Sequence, residues 1–305
     1  MTSATPLPRR GLLKTGLAVS TALLTTAATS EAASAASVPQ QRAAERELRE
    51  LERRYAIRLG VYARNVRTGK AVAYRAQERF AMCSTFKAFA AAAVLRDQAR
   101  CAPLDKVIHY PPADILPNSP KTAQHVDTGM AVGDLCAAAI QYSDNAAGNL
   151  LLRQIGGPAG LTRFFRSIGD RVSRLDRWEP DLNSALPGDP RDTTTPEAIG
   201  GSCERLTVGR ALADADREQL VTWMKGNTTS EERFRAGLPR DWVVADKTGT
   251  GDYASAHDIG VAWTTRKTPI VLAVLSTKAT RNAPVDNAPI AAAARIVADT
   301  LAPGE

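Results

Sequence analysis

Strand-like segments occur at both ends of the chain and are separated by a long stretch of helical pattern, and this order strongly limits the possible folds. Near the N-terminus, residues 57–63 alternate apolar side chains as in a half-buried strand. Residues 67–70 then resemble a hairpin turn, after which Ala71–Tyr74 returns. The C-terminal strand-like segments are residues 242–245, 259–263 and 270–275. We therefore expect the two groups to pair into one antiparallel sheet.

Helical periodicity covers most of the remaining chain. Residues 40–55 carry apolar side chains at helical spacing among many charges, and residues 290–301 predict a closing helix. Between the strand groups, residues 84–225 are mostly helical, with clear examples at 86–95, 132–142 and 146–155. Two glycines, Gly156 and Gly157, end the last of these helices.

The predicted fold class is therefore α/β plus all-α. An antiparallel sheet is flanked by the two terminal helices, and a helical lobe is inserted into the chain. We assign residues 37–75 and 229–305 to the α/β lobe and residues 76–228 to the helical lobe. A substrate site is expected in the cleft between the lobes.

Composition excludes several classes of function. The formal net charge of +7 would suit an anionic partner, but the basic residues are scattered and form no run longer than a pair. We therefore expect a soluble monomer with no nucleic-acid partner. The four cysteines match no zinc pattern and the chain has only three histidines, so we expect no metal, no cofactor and no disulfide.

The first 36 residues are interpreted as an export signal. Arg9-Arg10 precedes an apolar stretch at residues 16–24, and small residues at 33–36 suit cleavage by a signal peptidase. The apolar stretch is too short for a permanent membrane anchor. We expect secretion by the twin-arginine route, with no anchor after the signal is removed.

Ser84-Thr85-Phe86-Lys87 is the first motif with chemical content. Residues 86–95 are apolar on every side except for Lys87, which predicts a buried helix that carries one charge. Burying an unpaired ammonium is costly, so Lys87 must face a polar cavity, be paired, or have a lowered pKa. Residues three apart share a helix face, which places Ser84 beside Lys87 as a candidate nucleophile. A serine N-cap with a snorkelling lysine is the structural alternative.

Three more motifs follow along the chain. Ser143-Asp144-Asn145 lies between two helices, where these residue types also favour caps and turns. Glu179 and Asn183 lie in a loop rich in Pro, Asp and Gly, where they could position and deprotonate a water molecule. Lys247-Thr248-Gly249-Thr250 follows the predicted strand at 242–245, and Gly249 would let a ligand approach an edge strand. Arg177 and Asp192 could close the loop with an ion pair.

In this order and spacing, the four motifs resemble those of the class A serine β-lactamases of the penicillinase type, with a twin-arginine leader like that of actinobacterial relatives. The resemblance covers essentially the whole chain after residue 36. It implies hydrolysis of the β-lactam amide of penicillins and cephalosporins, and hence β-lactam resistance.

The resemblance also implies a role for each motif. Ser84 would form the acyl-enzyme, and either Lys87, or Glu179 through a water, would take its proton. Ser143 would protonate the leaving nitrogen. The implied oxyanion hole is formed by the backbone N–H groups of Ser84 and Thr250. The implied substrate-binding residues are Asn118, Asn145, Asn183, Arg233, Lys247, Thr248, Gly249 and Thr250.

The chain departs from the family's pattern in several places. No Arg or Lys follows the Lys-Thr-Gly motif in residues 250–258, so Arg233 is assigned to the substrate carboxylate. Asn118 stands where the family usually has an aromatic side chain at the mouth of the cleft. Gly251 stands at the position that pairs with Cys83 in some carbapenem-hydrolysing relatives, so that disulfide cannot form and strong carbapenem turnover is not expected. Ala91 likewise stands where the family's common disulfide would need a partner for Cys136.

Three rival functions compete with this reading. A penicillin-binding DD-peptidase shares the Ser-x-x-Lys and Lys-Thr-Gly motifs but lacks the loop that carries Glu179 and Asn183. A β-lactam sensor would need a membrane segment or partner domain, and none is found after residue 36. A Ser-His-Asp esterase is disfavoured because the chain has no Gly-x-Ser-x-Gly motif.

Overall fold

The computed structural model describes residues 24–97 and 103–305, with side chains from residue 39 onward. Two units are distinguished, Met1–Pro39 and Gln40–Glu305, and the second contains all the features considered below. The twin-arginine pair lies outside the described residues, so the export signal stays a prediction. Within the described part of the chain, no helix is long and apolar enough to cross a membrane.

The helices and strands follow the predicted order. The helices are α1 (Leu24–Tyr55), α2 (Phe86–Asp97), α3 (Val132–Gln141), α4 (Asn145–Gln154), α5 (Gly157–Ser167), α6 (Pro196–Thr207), α7 (Asp214–Lys225), α8 (Phe234–Gly237) and α9 (Ala288–Leu301). The strands are β1 (Arg58–Asn65), β2 (Ala71–Tyr74), β3 (Phe80–Ala81), β4 (Val107–Ile108), β5 (Met130–Ala131), β6 (Thr193–Thr194), β7 (Val243–Gly251), β8 (Ser255–Trp263) and β9 (Pro269–Thr277).

Five strands form one antiparallel sheet in the order β2-β1-β9-β8-β7. The predicted pairing of N-terminal and C-terminal strands is thus confirmed, and β1 joins β9 from Arg58–Thr277 to Asn65–Ile270. Strand β7 is an edge of the sheet. The fold class is as predicted, with terminal helices on the sheet and a helical region inserted between β2 and β7. The exact lobe boundaries stay a prediction.

Both faces of the sheet are buried, which explains the nearly continuous apolar run of β9. Its side chains alternate between two cores. Val271, Ala273 and Leu275 pack with the inserted helices, whereas Ile270 and its alternate neighbours pack with α1 and α9. Helix α2 lies within the first core, and all its residues from 86 to 95 are buried.

One predicted strand is longer than its apolar pattern suggested. Residues 242–245 were expected to end before the Lys-Thr-Gly-Thr motif, but β7 continues through Gly251 in register with β8. The motif therefore lies within the edge strand and not after it. The polar side chains of Lys247 and Thr248 interrupt the apolar alternation, so the pattern alone ended the strand too early.

The loop from Arg177 to Asp192 is closed by the predicted ion pair. Arg177 Nε donates to Asp192 Oδ2 over 2.6 Å, and only 1% of the Asp192 side chain is exposed. The same carboxylate also accepts from the backbone N–H groups of Asp176 and Arg177. The two ends of the loop are therefore joined at one buried carboxylate.

We predict that Arg177→Gln weakens this closure by roughly 2 kcal/mol, because it leaves the buried Asp192 carboxylate without its cation. Amide hydrogen exchange across residues 177–192 measures the loss as faster exchange. Arg191→Gln is the matched control, since its pair with Asp189 over 2.7 Å is on the same loop with the arginine 48% exposed. Equal exchange rates in the two variants would contradict the assigned role of the ion pair.

Candidate active site

Ser84 lies in a single 3-10 turn, Cys83–Thr85, that leads directly into α2. The Thr85 hydroxyl donates to Met82 O over 2.6 Å, and Met82 N donates to Asp192 O over 2.7 Å. These bonds attach the turn to the end of the loop described above. Ser84 is 6% exposed, so its hydroxyl lies in a largely enclosed environment.

Lys87 is completely buried one turn along from Ser84. Its ammonium donates to Ser84 Oγ over 2.9 Å and to Asn145 Oδ1 over 2.6 Å. It also lies 3.0 Å from Glu179 Oε1. Burial lowers the pKa of Lys87 below its ordinary value of 10.5, and the Glu179 charge opposes this shift. All three conditions proposed for this lysine therefore hold: polar surroundings, a paired charge and a lowered pKa.

Helix α4 makes room for the Lys87 side chain through a glycine. A Cβ atom on Gly148 would lie 2.9 Å from Lys87 Cε and 3.3 Å from Phe86 Cζ. Such a contact would force the lysine stem to move. The close approach of α4 to α2 thus depends on the missing side chain at Gly148.

Ser143 lies between the two buried lysines. Its Oγ is 3.2 Å from Lys247 Nζ and 3.5 Å from Lys87 Nζ, and its carbonyl accepts from Lys87 over 2.8 Å. Burial lowers the pKa of Lys247 well below its ordinary value, and the Lys87 charge adds to the shift. A hydroxyl between two such groups can accept a proton from one and donate a proton to a ligand.

The residues around Ser143 hold it in place. Asp144 caps α4 by accepting from Ala147 N over 2.9 Å. Asn145 N donates to Asn118 O over 2.9 Å, and Asn118 Nδ2 donates to Ser143 O over 3.0 Å. Asn118 is exposed at this edge of the site. It therefore holds the backbone of the Ser-Asp-Asn motif in place.

Glu179 approaches Ser84 from the loop. Its Oε1 accepts from Ser84 Oγ over 3.2 Å, and its Oε2 accepts from Asn183 Nδ2 over 2.5 Å. Asn149 fixes the backbone of the same residue, since its side chain accepts from Glu179 N and donates to Glu179 O, each over 3.0 Å. Glu179 is 4% exposed, so the carboxylate of this loop residue is buried.

Strand β7 passes directly against the Ser84 turn. A Cβ on Gly249 would lie 3.2 Å from both Met82 O and Cys83 Cβ, so a larger residue would separate the strand from the turn. Gly249 thus permits a close approach of this chain's own backbone, and the approach of a ligand at this position stays a prediction. Thr248 Oγ1 lies 2.5 Å from Thr229 Oγ1, which orients the hydroxyl within the strand.

Arg233 reaches the same strand from the start of α8. Its guanidinium donates to Gly249 O over 2.9 Å, to His257 O over 2.6 Å and to Thr250 Oγ1 over 2.8 Å. It is 5% exposed, and burial lowers its pKa. Arg233 thus places a largely enclosed positive charge directly behind the exposed Thr250.

The structure brings all the predicted site residues into one region at β7, α2, α4 and the loop. Sequence reasoning missed Asn149, which clamps Glu179, and His257, which is fully buried beneath Arg233. Asn149 lies four residues after Asn145 and is the one polar side chain in the run 146–152, so its position on the same helix face was the available signal. His257 lies in no motif and gave no such signal.

The cysteines described are all buried and free: Cys83, Cys136 and Cys203. Cys101 lies outside the described residues. A Cβ on Gly251 would lie 2.8 Å from Cys83 Sγ, so the two positions are adjacent even though no disulfide can join them. Within the described ranges, no three His, Cys, Asp or Glu side chains group in a way that could hold a metal ion.

This geometry is suited to acyl transfer. One hydroxyl, Ser84 Oγ, lies within hydrogen-bond distance of both an amine and a carboxylate. A second hydroxyl and a second amine, on Ser143 and Lys247, lie on the side toward β7. The site can therefore remove a proton from a nucleophile and deliver one to a leaving group.

Comparisons with known proteins agree with this chemistry. The sequence matches the Beta-lactamase enzyme family over residues 43–301. Beta-lactamase AST-1 of Nocardia asteroides is 49% identical over 297 residues, which is 96% of each chain. The carbapenem-hydrolyzing beta-lactamase KPC of Klebsiella oxytoca is 52% identical over 253 residues, covering 82% of this chain and 86% of that protein. The solved β-lactamase of Streptomyces albus G is 51% identical with a TM-score of 0.83, covering 85% of this chain and 99% of its own.

The burial of His257 should make the stability of the folded protein depend on pH. Burial and the Arg233 charge lower its pKa from 6.5 to about 3. Below pH 6.5 the unfolded chain binds a proton that the folded chain does not bind until about pH 3. With respect to His257, the folded state therefore has its full stability above pH 6.5. The free energy of unfolding decreases as the pH falls from 6.5 towards 3. We expect this residue alone to lower the free energy of unfolding by about 2 kcal/mol between pH 7 and pH 5.

Denaturant unfolding at a series of pH values measures this dependence. His257→Gln should flatten the acid side of the stability curve by that amount. His125→Gln, at an exposed histidine, is the matched control and should leave the curve unchanged. A wild-type slope in His257→Gln would contradict the prediction.

Proposed function

The chain belongs to the class A serine β-lactamases, and we propose that it opens the β-lactam amide of penicillins and cephalosporins through an acyl-enzyme on Ser84. Water activated by Glu179 then releases the product. One observation carries the proposal: Ser84 Oγ lies 2.9 Å from Lys87 Nζ and 3.2 Å from Glu179 Oε1, in a buried cluster. Opening of the amide by this enzyme confers β-lactam resistance.

In the first step, Ser84 Oγ attacks the lactam carbonyl and loses its proton. Lys87 is a competent base because its lowered pKa reduces the cost of the neutral amine. Glu179 is the other base within reach, either directly or through a water. Both groups contact the same oxygen, so the proton stays within the Ser84, Lys87 and Glu179 cluster.

When the carbon–nitrogen bond breaks, the lactam nitrogen needs a proton. Ser143 Oγ donates it and is recharged from Lys87 or Lys247, which lie on either side. The oxyanion that forms on the carbonyl is stabilised by the backbone N–H groups of Ser84 and Thr250. Gly249 supports this arrangement because it lets β7 lie against the Ser84 turn.

The substrate carboxylate is bound at β7. Thr248 and Thr250 supply hydroxyls, and Lys247 and Arg233 supply positive charge. Arg233 acts through Thr250, because its guanidinium already donates to that hydroxyl over 2.8 Å. Asn145 and Asn118 lie on the opposite side, next to Ser143, where they border the substrate.

Release of the acyl group depends on the loop. Glu179 takes a proton from water, the water oxygen attacks the ester carbonyl, and the proton passes to Ser84 Oγ as the ester bond breaks. Asn183 holds the carboxylate over 2.5 Å, and Asn149 holds its backbone. These contacts favour hydrolysis over a permanently acylated DD-peptidase or sensor.

Export and assembly complete the proposal. The Arg9-Arg10 motif supports secretion by the twin-arginine route, and the scattered charge supports a monomer with no nucleic-acid partner. Cys83 is free, so the site lacks the disulfide present in some carbapenem-hydrolysing relatives, and strong carbapenem turnover is not proposed. Penicillins and cephalosporins are therefore the proposed substrates.

We predict that two variants distinguish the role of Ser84 in acylation from the role of Glu179 in release of the acyl group. Ser84→Ala should lower nitrocefin turnover by at least about 10⁴-fold and form no adduct. Glu179→Gln should lower turnover by about 10³-fold and accumulate an adduct with benzylpenicillin, because acylation continues without release. Intact-protein mass spectrometry should show a gain of the whole penicillin mass, since opening a ring amide expels no atoms.

Asp181→Asn is the matched control, an exposed carboxylate on the same loop, and it should retain wild-type turnover. A stable adduct on the wild-type enzyme would favour a DD-peptidase or a sensor. Release of the acyl group at the wild-type rate in Glu179→Gln would remove this residue from the mechanism.

We predict a second effect at Arg233. Arg233→Ala should raise KM for benzylpenicillin about tenfold with a smaller change in kcat, because it removes charge behind the carboxylate site. Arg235→Ala is the neighbouring control, since that guanidinium contacts Ser230 and Asp246 instead. Thermal unfolding checks that both variants fold. An unchanged KM and kcat in folded Arg233→Ala would show that the assignment is wrong.

A further inference from the structure

A cavity of about 700 Å³ lies between the loop and one end of the main sheet. Loop residues 185–191 form one wall. The opposite wall includes residues 56–58 at the start of β1, residues 78–81, and residues 277–279 at the end of β9. No residue assigned to the active site lines it. Its volume is within the range of small-molecule sites.

Apolar side chains form part of the cavity lining. The accessible apolar side chains are on the loop wall, where Leu186 is 40% exposed and Pro187 is also exposed, whereas Phe80 and Leu182 are buried behind the lining. The guanidinium of Arg58 lies 3.9 Å from the centre of the Phe80 ring, so this cation covers the ring and faces the cavity in its place. The interior is suited to a hydrocarbon or aromatic group.

Positive charge exceeds negative charge around the cavity. Four cationic side chains line it against two carboxylates: Arg58, Arg79, Arg191 and Lys278 against Glu78 and Asp189. The two carboxylates are already paired, Glu78 with Arg58 over 3.2 Å and Asp189 with Arg191 over 2.7 Å.

Arg79 and Lys278 are left without a carboxylate partner among the residues that the structure describes. Arg79 donates only to neutral oxygens, on Thr193 over 2.9 Å and on Val172 over 3.4 Å. Lys278 donates to Pro284 O over 3.2 Å. An anionic group at the cavity would satisfy both cations.

We propose that this cavity is a binding site for a small anionic amphiphile, a molecule with one sulfonate, carboxylate or phosphate attached to an apolar body. The apolar part contacts Leu186 and Pro187 on the loop wall, and the anion pairs with Arg79 and Lys278. No step of β-lactam hydrolysis uses this site, so it is an additional site on the enzyme.

The position of the cavity couples such a ligand to the loop. Leu182 is the residue before Asn183, whose carbonyl accepts from Asp252 N over 2.9 Å and so attaches the loop to the turn after β7. A ligand against residues 185–191 would hold the loop segment that follows this attachment. Bound ligand should therefore slow amide exchange in residues 185–191.

The test uses the fluorescent dye 8-anilinonaphthalene-1-sulfonate as the anionic probe and neutral N-phenyl-1-naphthylamine as its uncharged partner. The protein is the full chain with Ser84→Ala, so binding is measured without turnover. Arg79→Gln/Lys278→Gln should weaken the sulfonate dye about tenfold and leave the neutral dye unchanged. The matched control is Lys106→Gln/Arg210→Gln, at two exposed cations away from the cavity, and it should leave both affinities unchanged.

Two results would overturn the proposal. Equal affinity of the sulfonate dye for the cavity variant and the control would show that Arg79 and Lys278 do not bind the dye. Displacement of the dye by saturating benzylpenicillin would place it in the Ser84 cleft. Because neither measurement depends on turnover, this inference can fail while the proposed function stands, and the reverse also holds.

Discussion

Burial of the Lys87 ammonium is the constraint on which the rest of the structure depends. A charge with no exposure must be surrounded by acceptors, and here they come from three parts of the chain: Ser84, Glu179 and the Ser143–Asn145 segment. Each of these parts is held in place by a contact with the Lys87 ammonium as well as by its own local contacts. The proposed catalytic cluster is therefore also the point where α2, α4 and the loop meet.

The sheet borders the Lys87 cluster on a second side. Strand β7 is an edge strand, and at Gly249 it lies against the turn that carries Ser84. Arg233 joins β7 to β8 from behind, because its guanidinium donates to Gly249 O on β7 and to His257 O on β8. Positioning of the proposed nucleophile, carboxylate site and oxyanion hole thus depends on one close contact between two backbone segments.

Much of the fold followed from the sequence because its determinants are local or periodic. Strand β2 matched its predicted range, and the helix that follows Ser84 was evident from its apolar run. The site motifs were found because their residues lie close together in sequence. Asn149 and His257 were missed, since their importance comes from partners distant in sequence: Asn149 binds Glu179, and His257 lies beneath Arg233. The end of β7 was misplaced because the polar side chains of Lys247 and Thr248 interrupt the apolar pattern.

The pairing of β1 with β9 has a consequence for how the chain acquires its structure. Arg58 pairs with Thr277, so one of the first strands to leave the ribosome borders one of the last. During synthesis β1 therefore cannot yet pair with β9, and it can pair only with β2 in the hairpin. Such non-local pairing raises the contact order and slows folding. The sheet, and with it the edge strand of the proposed active site, is completed only after residue 277 has been made.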